Sequence, residues 1–223
     1  MPADRFDHAP SEPTVLLLPD FDYGPGDYWQ DDWVRRRLDC QKVDLGHARI
    51  PRRNALVSWL DRHVRTVPGP LFLVGHGIGA LAVAAWSSLM SMESEATIVG
   101  ALLVAPNDPH NGEDRRLDDF LPLPNDIFPF PGLVVASDDD PHLGTDRGFS
   151  LARQWGCGFA RMPGCGHFRP IDGIGRWQQG EELLDQFLGL IGPGTSRHPV
   201  RAADLERSCA PPPWLDRRSA IRP

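Results

Sequence analysis

The chain has 223 residues, 41% of them hydrophobic, and a formal net charge of -7. That length and apolar content suit one well-packed domain rather than two, and the acidic balance argues against a nucleic-acid partner, which would call for a basic patch. No apolar run approaches a membrane span and the polar start lacks the apolar core of a signal peptide, so the expectation is a cytoplasmic protein with no membrane association. Cys40, Cys157, Cys165 and Cys209 contain no CxxC pair and are read as reduced thiols.

Residues 1–13, polar and holding Pro2 and Pro10, read as a loose leader. The apolar run 14–18, closed by Pro19, predicts a buried strand. A helix over 31–38 and a strand around 40–43 follow. Asn54 is the expected N-cap of a helix over 55–67, which Pro68-Gly69-Pro70 ends. The segment from Leu71 onward reads as strand, tight turn, and a helix reaching about Met92. A continuous apolar strand is expected at 97–105, a loop rich in Asp, Pro and Asn at 106–130, and a strand at 132–136. The pattern closes with a helix at 149–155, a short strand at 158–161 and a helix at 178–191. Strands apolar throughout, alternating with amphipathic helices, specify an α/β fold with a parallel sheet covered by helices on both faces. The domain therefore spans 14–191, and the Pro- and Arg-rich stretch 192–223, with its single Trp214, reads as an extended tail.

The turn Gly75-His76-Gly77-Ile78-Gly79 has the frame of a G-x-S-x-G nucleophile elbow, a sharp strand-to-helix turn with serine at its apex, but position 77 is glycine. Ligands of open α/β sheets bind beyond the carboxyl ends of the strands. Those ends carry Asp20-Phe21-Asp22 after the first strand, the elbow, the run Asp138-Asp139-Asp140 and the loop histidine His167. Nucleophile position, acid and histidine thus follow the chain order of an α/β-hydrolase triad. A histidine base needs a buried carboxylate to fix its tautomer and stabilise the imidazolium. Asp140 is the preferred acid, Asp139 the second choice. Phe21, Asp22, Ile78 and His76 are placed at the oxyanion hole and pocket.

Several segments carry a wider resemblance. Asp27-Tyr28-Trp29-Gln30-Asp31-Asp32-Trp33 resembles an H-W-Q-x-x-W segment, Asp140-Pro141 an Asp-Pro pair, and Gly166-His167 with Gly173-Ile174-Gly175-Arg176-Trp177 and Gly180 a G-H … G-x-G-x-W-x-x-G signature. Across about residues 14–190 the chain resembles the small serine hydrolases related to retinoblastoma-binding protein 9 and bacterial YdeN-type proteins. The resemblance implies an α/β-hydrolase fold without a large lid, and esterase-like acyl hydrolysis in intact members. This chain departs from the pattern at Gly77, at Asp20 and Asp22 where glycines are usual, at Tyr28 in place of histidine and at Leu45 in place of tryptophan.

Glycine has no side chain to acylate, and carboxylates beside a developing oxyanion oppose it. The expected function is that of a pseudoenzyme, or of a protein binding a small acyl-type ligand or a protein partner, without cofactor or metal. The alternative is a weak hydrolase in which the Asp140–His167 pair activates water. Ser87, Ser137 and Cys165 are poorly placed as substitute nucleophiles. Gly75-His76-Gly77-Ile78-Gly79-Ala80 also satisfies the G-x-G-x-x-A dinucleotide fingerprint, but a strand and helix precede it and the next strand ends in Ala105-Pro106 without an acid. His142, His167, Cys165 and the Asp run lack a tight metal-ligand spacing.

Overall fold

The computed structural model describes residues 12–21, 28–44, 52–89, 97–112 and 114–191. The leader and the tail, together with Asp22, Leu45, Met92, Cys209 and Trp214, lie outside the described residues. Six strands, β1 (Thr14–Leu18), β2 (Cys40–Lys42), β3 (Leu71–His76), β4 (Ile98–Val104), β5 (Gly132–Ser137) and β6 (Gly158–Met162), form one sheet in the order β2-β1-β3-β4-β5-β6. Every pairing is parallel. The order reverses between β1 and β3, which makes the crevice beyond their carboxyl ends the expected ligand site.

Among the described residues five α-helices cover the sheet: α1 (Trp29–Arg36), α2 (Arg53–Thr66), α3 (Ile78–Ser87), α4 (Thr145–Trp155) and α5 (Gln178–Ile191). Alternate strand residues face opposite sides, so two cores form. Leu16, Leu18, Leu71 and Leu73 pack with Leu56, Leu60, Leu81 and Leu151 of α2, α3 and α4. Val15, Leu17, Phe72 and Val74 pack with Trp29, Trp33, Leu184 and Phe187 of α1 and α5. Helix α3 is buried along its whole length, as expected of a helix made almost wholly of apolar residues. No helix among the described residues is long and apolar enough to cross a membrane.

Several boundaries differ from the sequence reading: α1 spans Trp29–Arg36 rather than 31–38, because Trp29 and Gln30 already belong to its buried face, and α3 ends at Ser87 rather than near Met92. Helix α2 starts at Arg53, and its capping acceptor is not Asn54. The Arg53 N–H instead donates to the distant Asp119 carboxylate at 2.8 Å, a tertiary cap with no local sequence signal. Helix α4 begins at Thr145, earlier than expected, because Gly148 lies inside it. There the helix passes so close to the sheet that an added Cβ would lie 2.9 Å from Ala136. The region 106–130 holds short 3-10 helices at Pro109–Asn111 and Arg115–Phe120.

Candidate active site

At the end of β3 the chain reverses at Gly77, whose φ of 54° and ψ of -115° suit glycine and strain any other residue. Helix α3 then starts immediately and crosses β1 so tightly that a Cβ on Gly79 would meet the Leu18 carbonyl. This is the strand-turn-helix geometry of a nucleophile elbow.

The space above Gly77 is filled by Asp20. A Cβ built at position 77 would fall 2.5 Å and 2.7 Å from the two oxygens of the Asp20 carboxylate. Asp20 Oδ1 accepts hydrogen bonds from the Phe21 N–H at 2.8 Å and the Ile78 N–H at 3.1 Å. Those are the two amides expected to form an oxyanion hole, and here they hold the protein's own carboxylate. Asp20 Oδ2 faces His167 Nε2 at 3.6 Å. Asp20 is 4% exposed. Burial opposes its charge, but the His167 and His76 rings and the Ile78 amide outweigh it and hold the carboxyl down at about 2. Gly77 and the acid at position 20 are therefore one coupled change, because the side chain missing at 77 is the room that Asp20 occupies. The same carboxylate excludes the dinucleotide reading, since a pyrophosphate on the α3 N-terminus would have to displace an anion already bonded to the Ile78 amide.

His167 follows β6 and stands between two left-handed residues, Gly166 with φ of 51° and Phe168 with φ of 57°. Its Nδ1 donates to both Asp140 oxygens at 2.9 and 3.0 Å. Asp140 is thus the carboxylate on the imidazole, and its neighbours position the loop instead. Asp139 accepts from the Gly166 N–H at 2.8 Å and the Ser137 hydroxyl at 2.6 Å, and Asp138 accepts from the Gly164 N–H at 2.9 Å. Asp172 accepts from the backbone N–H of His167 and of Arg169, both at 3.0 Å. Burial would lower the His167 pKa, but Asp140 and Asp20 on its two nitrogens raise it to about 9. At neutral pH the ring is an imidazolium between two carboxylates.

His76, expected at the pocket, lies behind it. It is fully buried, and its Nε2–H donates to the His167 carbonyl at 2.7 Å while Nδ1 accepts from the Tyr28 hydroxyl at 2.6 Å. A carbonyl can only accept, which fixes this tautomer. Burial, the largest influence, brings the ring to a pKa of about 4 and keeps it neutral. Tyr28, a departure by sequence, is thus the partner of His76. Asp20, His76 and His167 offer three possible ligand atoms within 4.8 Å of one another, yet both His76 nitrogens already serve the Tyr28 hydroxyl and the His167 carbonyl.

A cavity of about 150 Å³ opens beside Asp20 and His167, lined also by Phe21, Asn107, Arg116, His142 and Arg169. Ile78 contributes only its amide, its side chain being buried in the α2/α3 core. Arg116 lies 4.1 Å over the Phe21 ring and pairs with Asp114 at 2.6 Å; Arg169 pairs with Asp172 at 3.2 Å. Asn107 was not singled out by sequence, although it sits just beyond the carboxyl end of β4, where site residues gather. Its amide lies 3.5 Å from His167 Nε2, and its oxygen is buried without a partner. Of the substitute nucleophiles, Ser87 donates to the Ala84 carbonyl at 2.8 Å within α3, Ser137 is tied to Asp139, and burial raises the Cys165 thiol to about 11.

Comparison with known proteins bears on the fold and the family. Among solved structures, a YdeN-like hydrolase from Pectobacterium atrosepticum superposes with a TM-score of 0.70 at 26% identity, covering 81% of this chain and 92% of that one. The ydeN gene product of Bacillus subtilis gives a TM-score of 0.65 at 18% identity, over 79% of this chain and 99% of that one. A thermophilic esterase shares the fold at 12% identity with a TM-score of 0.55, over 80% of this chain and 90% of that one. No curated protein sequence matches the chain. The serine hydrolase family model aligns with residues 15–186, which reach from β1 into α5 and take in the elbow, Asp140 and His167. The chain belongs to the serine hydrolase family.

Proposed function

We propose that this member of the family has given up acyl-serine catalysis, is a pseudoenzyme toward carboxylic esters, and holds a small polar molecule in its cavity. One observation carries the reading: the Asp20 carboxylate accepts from the Phe21 and Ile78 amides and takes the space of a side chain at position 77. Ester hydrolysis needs those two donors for the oxyanion of the tetrahedral intermediate, and a bound carboxylate removes them. The cavity lining, with Arg116, Arg169, Asn107 and His142, suits a short polar ligand rather than a long acyl chain. A cytoplasmic location accords with Cys40, Cys157 and Cys165 as free thiols. A water activated by Asp140–His167 against a bound ester is a weaker reading, because the Asp20 carboxylate holds the two oxyanion amides and its charge keeps His167 protonated.

The test is a pair of variants assayed on p-nitrophenyl acetate. The unmodified protein is expected to show no turnover that depends on His167. Gly77→Ser alone is expected to stay silent, because its Cβ meets Asp20. The double variant Gly77→Ser/Asp20→Gly frees the hole and installs the hydroxyl, and is expected to gain turnover that His167→Ala abolishes. His167-dependent ester hydrolysis by the unmodified protein refutes the reading.

A further inference from the structure

We propose that Asp20 is itself a nucleophile, and that the cavity takes short polar alkyl compounds bearing a halide or similar anionic leaving group on a saturated carbon, which it hydrolyses to alcohols. The proposal rests on the preceding reading that position 77 carries no acyl chemistry, and goes beyond it. Occupation of the oxyanion hole by Asp20 Oδ1 defeats attack on a substrate's carbonyl. It is, however, the arrangement required to hydrolyse an ester formed on Asp20 itself. In that ester Oδ1 is the carbonyl oxygen, already cradled by the Phe21 N–H at 2.8 Å and the Ile78 N–H at 3.1 Å. Asp20 Oδ2 is the outer oxygen, facing His167 Nε2 at 3.6 Å and belonging to a residue that lines the cavity. An ionised carboxylate at the cavity wall, with one oxygen anchored on two backbone amides and the other facing His167, is a competent nucleophile toward saturated carbon.

The steps balance with water alone. Oδ2 attacks the saturated carbon, the C–O bond forms, and the carbon–halogen bond breaks with its electron pair leaving as halide; Arg116 and Arg169, each also paired to an aspartate, line the cavity into which that anion departs. Alkylation removes the Asp20 charge, which is one of the two that keep His167 protonated, so the ring releases its proton to solvent. Neutral His167 then takes a proton from a water that adds to the Asp20 carboxyl carbon, and the electron pair moves onto Oδ1 between its two amides. Collapse breaks the bond from that carbon to Oδ2, and the departing alkoxide takes the proton from His167. The alcohol leaves with an oxygen that belonged to Asp20, the water's oxygen stays on Asp20, and its second proton passes from the new Asp20 carboxyl to His167, restoring the carboxylate and the imidazolium. The sum is R–X + H2O → ROH + X⁻ + H⁺.

The decisive experiment uses the unmodified protein with bromoacetate, 2-bromoethanol and 1-bromopropane as probes. Halide release is followed, and a single turnover is run in ¹⁸O-labelled water with peptide mass analysis of the segment holding Asp20. The expected result is halide release with label in the Asp20 carboxylate and none in the first-turnover alcohol. In His167→Gln the alkylated Asp20 peptide is expected to accumulate, and Asp20→Asn is expected to lose both halide release and adduct. Label in the alcohol with an unlabelled Asp20 overturns the proposal, as does the absence of both halide release and adduct with all the probes. Ester turnover on p-nitrophenyl acetate bears only on the preceding reading, so the two can fail separately.

Discussion

Asp20 and His167 behave as one electrostatic unit, which can be tested residue by residue. His167 is 1% exposed and Asp20 4%, so each charge is costly without the other and their attraction is little screened by salt. With Asp140 on Nδ1 and Asp20 facing Nε2, the imidazole has a pKa of about 9 against an ordinary 6.5. Asp20→Asn keeps the shape and removes one of those charges. The His167 pKa, followed by the pH dependence of its imidazole NMR resonances, is expected to fall, whereas a value unchanged near 9 shows that Asp140 alone sets it. This coupling also explains why residue-level reading of the sequence went only part of the way. Asp140 and His167 were legible because the elbow frame and the chain order point to them. Asp20 is legible as an acid at the oxyanion loop that opposes a developing oxyanion, but nothing in the sequence ties it to Gly77. Only packing reveals that the two positions share one space, and no local pattern encodes a side chain swung across from a neighbouring strand.

At the scale of elements, the inner strands β1, β3, β4 and β5 were legible nearly to the residue because continuous apolar runs bounded by Pro, Gly and Asp leave little choice, while the edge strands β2 and β6 are short and more polar. The helix starts were less legible, since α2 takes its cap from Asp119, far away in sequence, and α4 runs through a glycine that propensity disfavours. Helix α1 serves the site more than its length suggests. Its Trp29 indole donates to the Phe168 carbonyl at 3.1 Å, and its buried Gln30 donates to the Leu18 carbonyl at 3.1 Å. Tyr28, at its N-cap position, closes the chain Tyr28–His76–His167 through bonds of 2.6 and 2.7 Å. The helix thus braces both the end of β1, which aims Asp20, and the loop that carries His167. Tyr28→Phe removes the donor to a buried imidazole nitrogen and leaves it unpaired, at a cost of about 1–3 kcal/mol. A fall of several degrees in Tm is expected, together with a change in the NMR environment of the His167 ring. An unaltered Tm and an unperturbed His167 resonance refute this bracing role.

For the whole molecule, two buried histidines with opposite shifts shape the dependence of stability on pH. His76 has a folded pKa of about 4 against an ordinary 6.5, so the unfolded chain binds its proton first. Its contribution is fully present above about 6.5 and is lost as pH falls through 4. His167 has a folded pKa of about 9, so the folded protein binds that proton more tightly. Its contribution is fully present below about 6.5 and is lost as pH rises through 9. Each shift corresponds to about 3 kcal/mol. Because the acid limb of one begins where the alkaline limb of the other begins, stability is expected to peak near pH 6.5 and fall on both sides, rather than form a broad plateau. Urea unfolding across pH 4 to 9 measures the curve directly. Asp20→Asn, by lowering the His167 pKa, is expected to flatten the alkaline limb relative to the peak, and, because the Asp20 charge also holds the His76 pKa up, to deepen the acid limb. A curve that is level from 6.5 to 9 in the unmodified protein contradicts the buried imidazolium, and with it the ion pair on which the site is built.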